Sequence, residues 1–300
     1  MFLNPFGLIA QLASVFLYAY SNIIDNYFAN ALFKRFTPVI FVSSAFGVLL
    51  IPVIFFFDRP HYIAFPLACL LLVSVLIEIG YQYPYYWSLR HLDTSIVISL
   101  FSLGKIIVPF LGFFFLGERL EPLQYLGFFM IILSAVALTL DLKKLKLNVA
   151  FFLMFLVSLL LSVSSAIQKY LFEQGMGWGT LLIWSAGIQF FIVSTLMLVR
   201  QNRNALSSMI ESRRSLLRIF IPVEFANWIA WTAGLYALYL LPLSVTKGLG
   251  SLQAIVVLVF AFFLKNRAPN FFKEDIGLKS IGKKALFFIL IAFGTICIGL

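Results

Sequence analysis

The chain has 300 residues, of which 62% are hydrophobic and 11% charged, and its mean hydropathy is +1.01. Soluble domains carry about 45–50% apolar and about 25% charged residues, so a soluble enzyme, a nucleic-acid binder and a secreted disulfide scaffold are excluded. The net charge of +10 needs another explanation, which the loops supply.

Apolar runs broken by charged or Gly/Pro-containing punctuation predict ten membrane-spanning helices. They run roughly over 6–28, 37–57, 64–88, 94–116, 122–140, 149–172, 178–199, 217–240, 243–264 and 284–300. A spanning helix needs about 20 apolar residues, so ten of them use most of the chain and leave no loop long enough for a separate domain. Met1–Pro5 carries no basic n-region, and the first apolar run leads straight into further spans, which argues against a cleaved signal peptide. Pro122 suits the start of span 5. Pro84 and Pro109 are expected to kink spans 3 and 4.

An internal repeat organises these spans. At a shift of 149, Ser95, Leu100, Ser102, Leu103 and Ile106 match Ser244, Leu249, Ser251, Leu252 and Ile255. At a shift of 144, Ser14, Ser21, Ile23 and Phe28 match Ser158, Ser165, Ile167 and Phe172. The halves are residues 1–147 and 148–300, with five spans each. An odd number of spans inverts the second half, the architecture of secondary transporters with a mid-membrane site between repeats.

The basic residues set the orientation. Loops 1–2, 3–4, 5–6, 7–8 and 9–10 hold 17 of the 22 Lys and Arg, the alternate loops only Arg59 and Arg119, and three (Lys105, Lys169, Lys247) fall within spans. The positive-inside rule places the basic loops in the cytoplasm and both termini outside, in a cytoplasmic membrane.

Ten spans in two halves, the Leu/Ser spacing from Ser88 to Leu103, Pro109, and Leu116-Gly117-Glu118-Arg119-Leu120 closing span 4 together resemble the drug/metabolite transporter superfamily, EamA type. The resemblance covers essentially the whole chain. The second half departs from it, with Lys265-Asn266-Arg267 near the matching place and a longer, more basic loop 9–10. So does the orientation, since that family is thought to keep its termini in the cytoplasm. The resemblance implies a secondary carrier of small metabolites, with a cavity lined by spans 1, 3, 4, 6, 8 and 9.

Ionisable groups inside a membrane are costly and point to function. Glu78 in span 3 and Lys105 in span 4 each lie about 13.5 residues from the turn joining them, so at about 1.5 Å per residue their depths match. They are expected to pair, either to lock the spans or to hold the two ends of a zwitterionic substrate. Glu78 is also the best carboxyl for proton coupling. Glu224 and Asn227 share a face of span 8, ahead of Trp228 and Trp231, and Asn227 corresponds to Glu78 at the shift of 149. Glu224 either binds a cationic group or pairs with Arg218. Tyr81, one turn from Glu78, and Tyr18 and Asn22 on span 1 are further substrate-binding candidates, with Gln253 beside the Lys105 equivalent.

Tyr85, Tyr86 and Trp87 read as an interfacial aromatic belt. Lys247 reads as a snorkelling residue. Asp25 and Lys169 correspond at the shift of 144 and read as gate charges near the cytoplasmic ends of their spans, or as snorkelled end residues. Gln11, Gln168 and Gln189 are embedded amides. No nucleophile, phosphate loop or metal spacing competes, so no enzyme activity and no cofactor is expected beyond proton or ion coupling. Expected partners are a small-molecule substrate and membrane lipids, in a monomer or homodimer, with no nucleic acid. A lipid or lipid-linked-sugar flippase and a non-transporting scaffold are the other readings.

Overall fold

The computed structural model describes residues 4–31, 35–107, 122–141, 146–147, 149–212, 214–264 and 277–299. Pro109, the Leu116–Leu120 motif and Lys265–Arg267 lie outside the described residues, as does the side chain of Lys105.

The described chain is almost wholly helical. The first half has α1 (Pro5–Ala31), α2 (Thr37–Phe57), α3 (Phe65–Gly80), α4 (Gln82–Leu89) and α5 (Thr94–Leu100). A 3-10 segment, Phe101–Ile106, extends α5, and α6 (Pro122–Thr139) follows. A two-residue antiparallel ladder, β1 (Leu140–Asp141) with β2 (Lys146–Leu147), pairs Leu140 with Leu147 and leads into the second half. That half has α7 (Val149–Glu173), α8 (Trp178–Leu196), α9 (Arg200–Ser212), α10 (Arg214–Leu240), α11 (Leu243–Gly250), α12 (Gln253–Leu264) and α13 (Leu278–Gly299). The helix α9 occupies what the sequence predicts as a loop.

Among the described residues, six helices are long and apolar enough to cross a membrane. Their surfaces suit that environment. Phe56 is 88% exposed and Phe65 78%, and Phe57, Phe191 and Phe263 are similarly bare on the outside. Inside, by contrast, Gln11, Asn22, Asp25, Asn26, Gln168, Gln189 and Glu224 are buried. An apolar exterior around a polar interior fits a hydrocarbon solvent, in which exposed polar groups find no partner.

Proline and glycine explain where the helices bend. Pro84 has no N–H to give to the carbonyl of Gly80, and the path breaks there, between α3 and α4. The break is shallow, since Tyr81 and Tyr85 keep their i→i−4 bonds at 2.9 and 3.0 Å. The α11–α12 break follows Gly248 and Gly250, both poor helix formers. Small residues also let helices close in. A Cβ on Gly104 would lie 1.8 Å from the carbonyl oxygen of Ser158 on α7, and one on Gly294 would lie 2.7 Å from that of Gly127, where α13 crosses α6.

The packing is organised around α1 and α7. Helix α1 lies along α10 and touches α12; α7 lies along α3 and α4 and against the 3-10 segment; α2 packs on α8, and α6 on α13. At one end of α1, Gly7 abuts Leu241 in the α10–α11 turn. At the other, Arg90 Nε donates to Ala29 O at 2.8 Å, beside the α4–α5 turn. Lys284, counted among the basic loop residues, is buried on α13 and ion-paired with Asp93 at the start of α5.

Asp58, just past α2, caps α8: its Oδ2 accepts from Gly179 N at 2.7 Å. Gly177 and Gly179 make the room, because a Cβ on either would lie 2.5 Å from Asp58 atoms. Asp58→Ala is therefore expected to cost about 1 kcal/mol, read as a lower melting temperature in detergent, with Asp58→Asn retaining most of the native value.

Candidate functional site

Both halves of the chain contribute to one cavity of about 300 Å³. Helix α1 supplies Gln11, Ser14, Tyr18, Asn22 and Asp25 along one face, at the three-to-four spacing that helices require. Glu78 sits at the end of α3, and Tyr81, Tyr85 and Tyr86 follow across the bend. Opposite them are Ser165 and Gln168 of α7, Gln189 of α8, and Asn227, Trp228 and Trp231 of α10. Lys247 of α11 and Gln253 of α12 complete the wall at the second break, as Phe101 and Ser102 do at the first.

Glu78 is half-buried and turned toward α7. Its Oε1 accepts from Ser164 Oγ at 3.0 Å, and Ser74 Oγ and Ser164 Oγ lie 2.9 Å apart. Gln168 Nε2 donates to Ser74 Oγ at 3.2 Å. The described cation within electrostatic reach of Glu78 is Lys247, whose ammonium bonds Ser165. Lys247 does not snorkel: its stem is too deep, and its head has a hydroxyl and a carboxylate to meet inside.

Asp25 and Asn22 sit at the other side of the cavity. Tyr85 OH donates to Asn22 Oδ1 at 2.8 Å and lies 3.3 Å from Asp25 Oδ2. Tyr85 and Tyr86 are each only 5% exposed, so they form an inner wall and not the interfacial belt that their place near the end of span 3 suggests. Trp87 does stack on His91 near the turn, with ring centroids 3.9 Å apart. Glu224 is 1% exposed and lies behind the wall, its carboxyl met by Ser43 and Asn227. Trp228 Nε1 donates to Ser43 O at 2.7 Å, its ring lies against Gly47, and Trp231 meets it edge-on at 5.0 Å.

Lys169 is not at the site. Its Nζ donates to Leu238 O at 3.2 Å and Leu241 O at 3.1 Å, which caps the end of α10. That end adjoins Gly7 of α1, whereas Asp25 lies near the Ala31 end of the same helix. The two residues therefore stand toward opposite ends of the helix bundle and not together at one end, as the sequence suggests.

Of the sequence candidates, Glu78, Tyr18, Tyr81, Asn22, Asp25, Asn227, Trp228, Trp231 and Gln253 come together at this cavity, with Glu224 directly behind it. The sequence reading missed Ser43, Ser162 and Ser165 and gave no site role to Tyr85, Tyr86 or Lys247. Ser165 had a signal, since it is the repeat partner of Ser21.

Lipid-facing apolar helices around a polar cavity define a helical, multi-pass membrane protein. Residues 5–140 match the model of the EamA-like transporter family, part of the drug/metabolite transporter superfamily, and the likeness is to a membrane transporter of that type. That family is non-enzymatic in general. No curated protein matches the chain in sequence. A solved crystal structure, described only as that of a protein, superposes with a TM-score of 0.58 at 13% identity, over 95% of this chain and 98% of that chain. At that identity the likeness concerns the fold alone.

Proposed function

We propose that the chain is a ten-helix secondary carrier, built as inverted repeats 1–147 and 148–300. It moves a small zwitterionic or cationic metabolite across a cytoplasmic membrane by alternating access. The observation that carries this reading is the cavity. Acid, base, amide and aromatic groups converge on about 300 Å³ inside helices whose outer faces are apolar. That volume is at the small end of the range for ligand sites, about 300–1,000 Å³.

The symmetry of the packing supports the repeat. Shifting by 144–149 residues maps α1 onto α7 and α3–α4 onto α10, so the α1–α10 and α7–α3 contacts are the same contact made twice. The departures from regular helix also correspond: the 3-10 segment at Phe101–Ile106 and the break at Ser251–Leu252 fall 149 residues apart. Discontinuous helices at matching places in two halves are where carriers bind substrate. The basic loops are placed in the cytoplasm and both termini outside. Substrate and membrane lipids are the partners, the unit is a monomer or homodimer, and coupling to a proton or ion falls to the cavity carboxyls.

The test is a thermal-shift screen of purified protein against amino acids, nucleosides, polyamines and quaternary amines, followed by counterflow in proteoliposomes. A substrate stabilises the state that binds it. The expected result is a zwitterionic or cationic solute that raises the melting temperature and exchanges saturably, with exchange reduced in Glu78→Gln. Scrambling of a labelled lipid with no solute exchange would replace this reading by a flippase. Neither activity would leave a non-transporting scaffold.

A further inference from the structure

Two contacts at opposite ends of the cavity hold equivalent carbonyls. At one end α4 stops at Leu89, whose carbonyl accepts from Asn26 Nδ2 at 3.1 Å and Asn30 Nδ2 at 3.3 Å, both near the Ala31 end of α1. Arg90 returns the Ala29 bond described above, and its guanidinium lies 4.4 Å from the centre of the Phe36 ring. At the other end Lys169, near the Glu173 end of α7, holds the carbonyls of Leu238 and Leu241. Leu89 and Leu92 correspond to Leu238 and Leu241 at the shift of 149, and Asp25 and Asn26 to Lys169 and Tyr170 at the shift of 144. The same carbonyl is therefore gripped from the same stretch of the equivalent helix, by amides at one end and by an ammonium at the other.

The chemistry of these contacts suits release. The last carbonyls of a helix have no partner within it, and Pro242, four residues after Leu238, has no N–H to offer. In both places the donor comes from a different helix. Each contact thus ties a helix end to its neighbour and parts without unwinding either one. Leu241 also abuts Gly7, which precedes Asn26 by 19 residues on α1, so the two contacts stand about 28 Å apart. The cavity lies between them: Asp25, next to Asn26, lines it, as do Gln168, next to Lys169, and Leu238 itself.

We infer that these contacts are a pair of latches, Asn26 and Asn30 on Leu89 at one end and Lys169 on Leu238 and Leu241 at the other. The carrier opens one end of the cavity by releasing one latch while the other stays closed. This rests on the alternating-access reading and adds which bonds each opening breaks. A cap that serves stability alone would support its helix whichever way the cavity faced; a latch sets which end opens.

The experiment places one reporter cysteine on the cavity wall, Leu161→Cys, with Cys69 and Cys297 changed to serine. Its labelling by a membrane-impermeant maleimide is measured in intact cells and in inside-out vesicles, which present the two faces of the membrane. Asn26→Ala is expected to raise labelling about fivefold from one face and to lower it from the other, a shift of the size that losing a hydrogen bond gives. Lys169→Met is expected to do the reverse. Labelling shifted toward the same face by both variants, raised from both faces, or left unchanged by either one overturns the assignment. Should a variant fail to fold, Asn30→Ala, which removes one of two donors, or Lys169→Gln, which keeps a donor, takes its place, and the same opposed shifts are required. Saturable solute exchange by the native protein, without opposed shifts in the variants, would leave the carrier standing and sink only the latches.

Discussion

Gly104→Val, where the 3-10 segment packs on α7, is expected to unfold the protein or to lower its melting temperature sharply. A Cβ at this position would sit 1.8 Å from the carbonyl oxygen of Ser158, 2.3 Å from its carbonyl carbon and 2.5 Å from Ser162 Oγ. Two of the three are backbone atoms, so no rotamer change relieves the clash. Either the 3-10 segment lifts off α7 or α7 moves away from α3 and α4. Overpacking a core costs about 1–3 kcal/mol where side chains can yield, and here they cannot, so even Gly104→Ala should reach the upper part of that range. The contrast is Gly187, where an added Cβ would meet nothing within 4 Å; Gly187→Ala should match or exceed native stability, because alanine is the better helix former. Melting curves of the two alanine variants, followed by size-exclusion profiles, make the comparison. A Gly104→Ala protein as stable as the native one would mean that the 3-10 segment and α7 do not approach so closely.

The spans were legible because hydrocarbon imposes a simple rule. Runs of apolar residues ended by charge or proline reappear as α1, α2, α7 and α8 with ends shifted by a few residues. What periodicity hides is local. The stretch 200–212 looks like a polar loop, yet Leu206 and Met209, one turn apart, seat it as the helix α9, with Met209 buried. The break at Ser251–Leu252 leaves only weak marks, Gly248 and Gly250, in a run that otherwise reads as one span.

Side-chain direction was the harder part of the site. Counting residues from a turn gives depth, and depth puts Glu78 well inside its span. It says nothing about rotation around the helix axis, so it could not tell that Glu78 turns to Ser164 on α7 and comes within reach of Lys247 from the other half. The repeat shift pairs residues by sequence and carries no information on which end of the bundle each one reaches, so Asp25 and Lys169 look alike in sequence and yet stand apart. Tyr85 and Tyr86 share their composition with an interfacial belt; the bend at Gly80–Tyr81 helps turn them inward, and composition does not report a bend.

Lys247→Met is expected to lower both stability and substrate affinity, and most of the loss should depend on Glu78. With the lysine gone, Glu78 keeps Ser164 but loses the described cation within reach. A carboxylate left in a low-dielectric wall without its partner is worse off than a neutral pair. The cavity admits water, so the full cost of breaking a buried pair does not apply, and about 1–2 kcal/mol of coupling is expected, within the range for residues in one network. In a double-mutant cycle, Lys247→Met and Glu78→Gln should each destabilise, and the double variant should lie closer to native than the sum of the singles. Substrate affinity should behave differently. If Lys247 also holds the substrate's anionic end, removing a charged hydrogen bond costs about 1.5–3 kcal/mol, or tenfold and more. The double variant would not recover that loss. Recovered stability with unrecovered affinity is therefore the signature of a pair that opens for substrate. Recovery of both would make Glu78 and Lys247 a structural lock between α3 and α11 and move substrate contact to the remaining walls of the cavity.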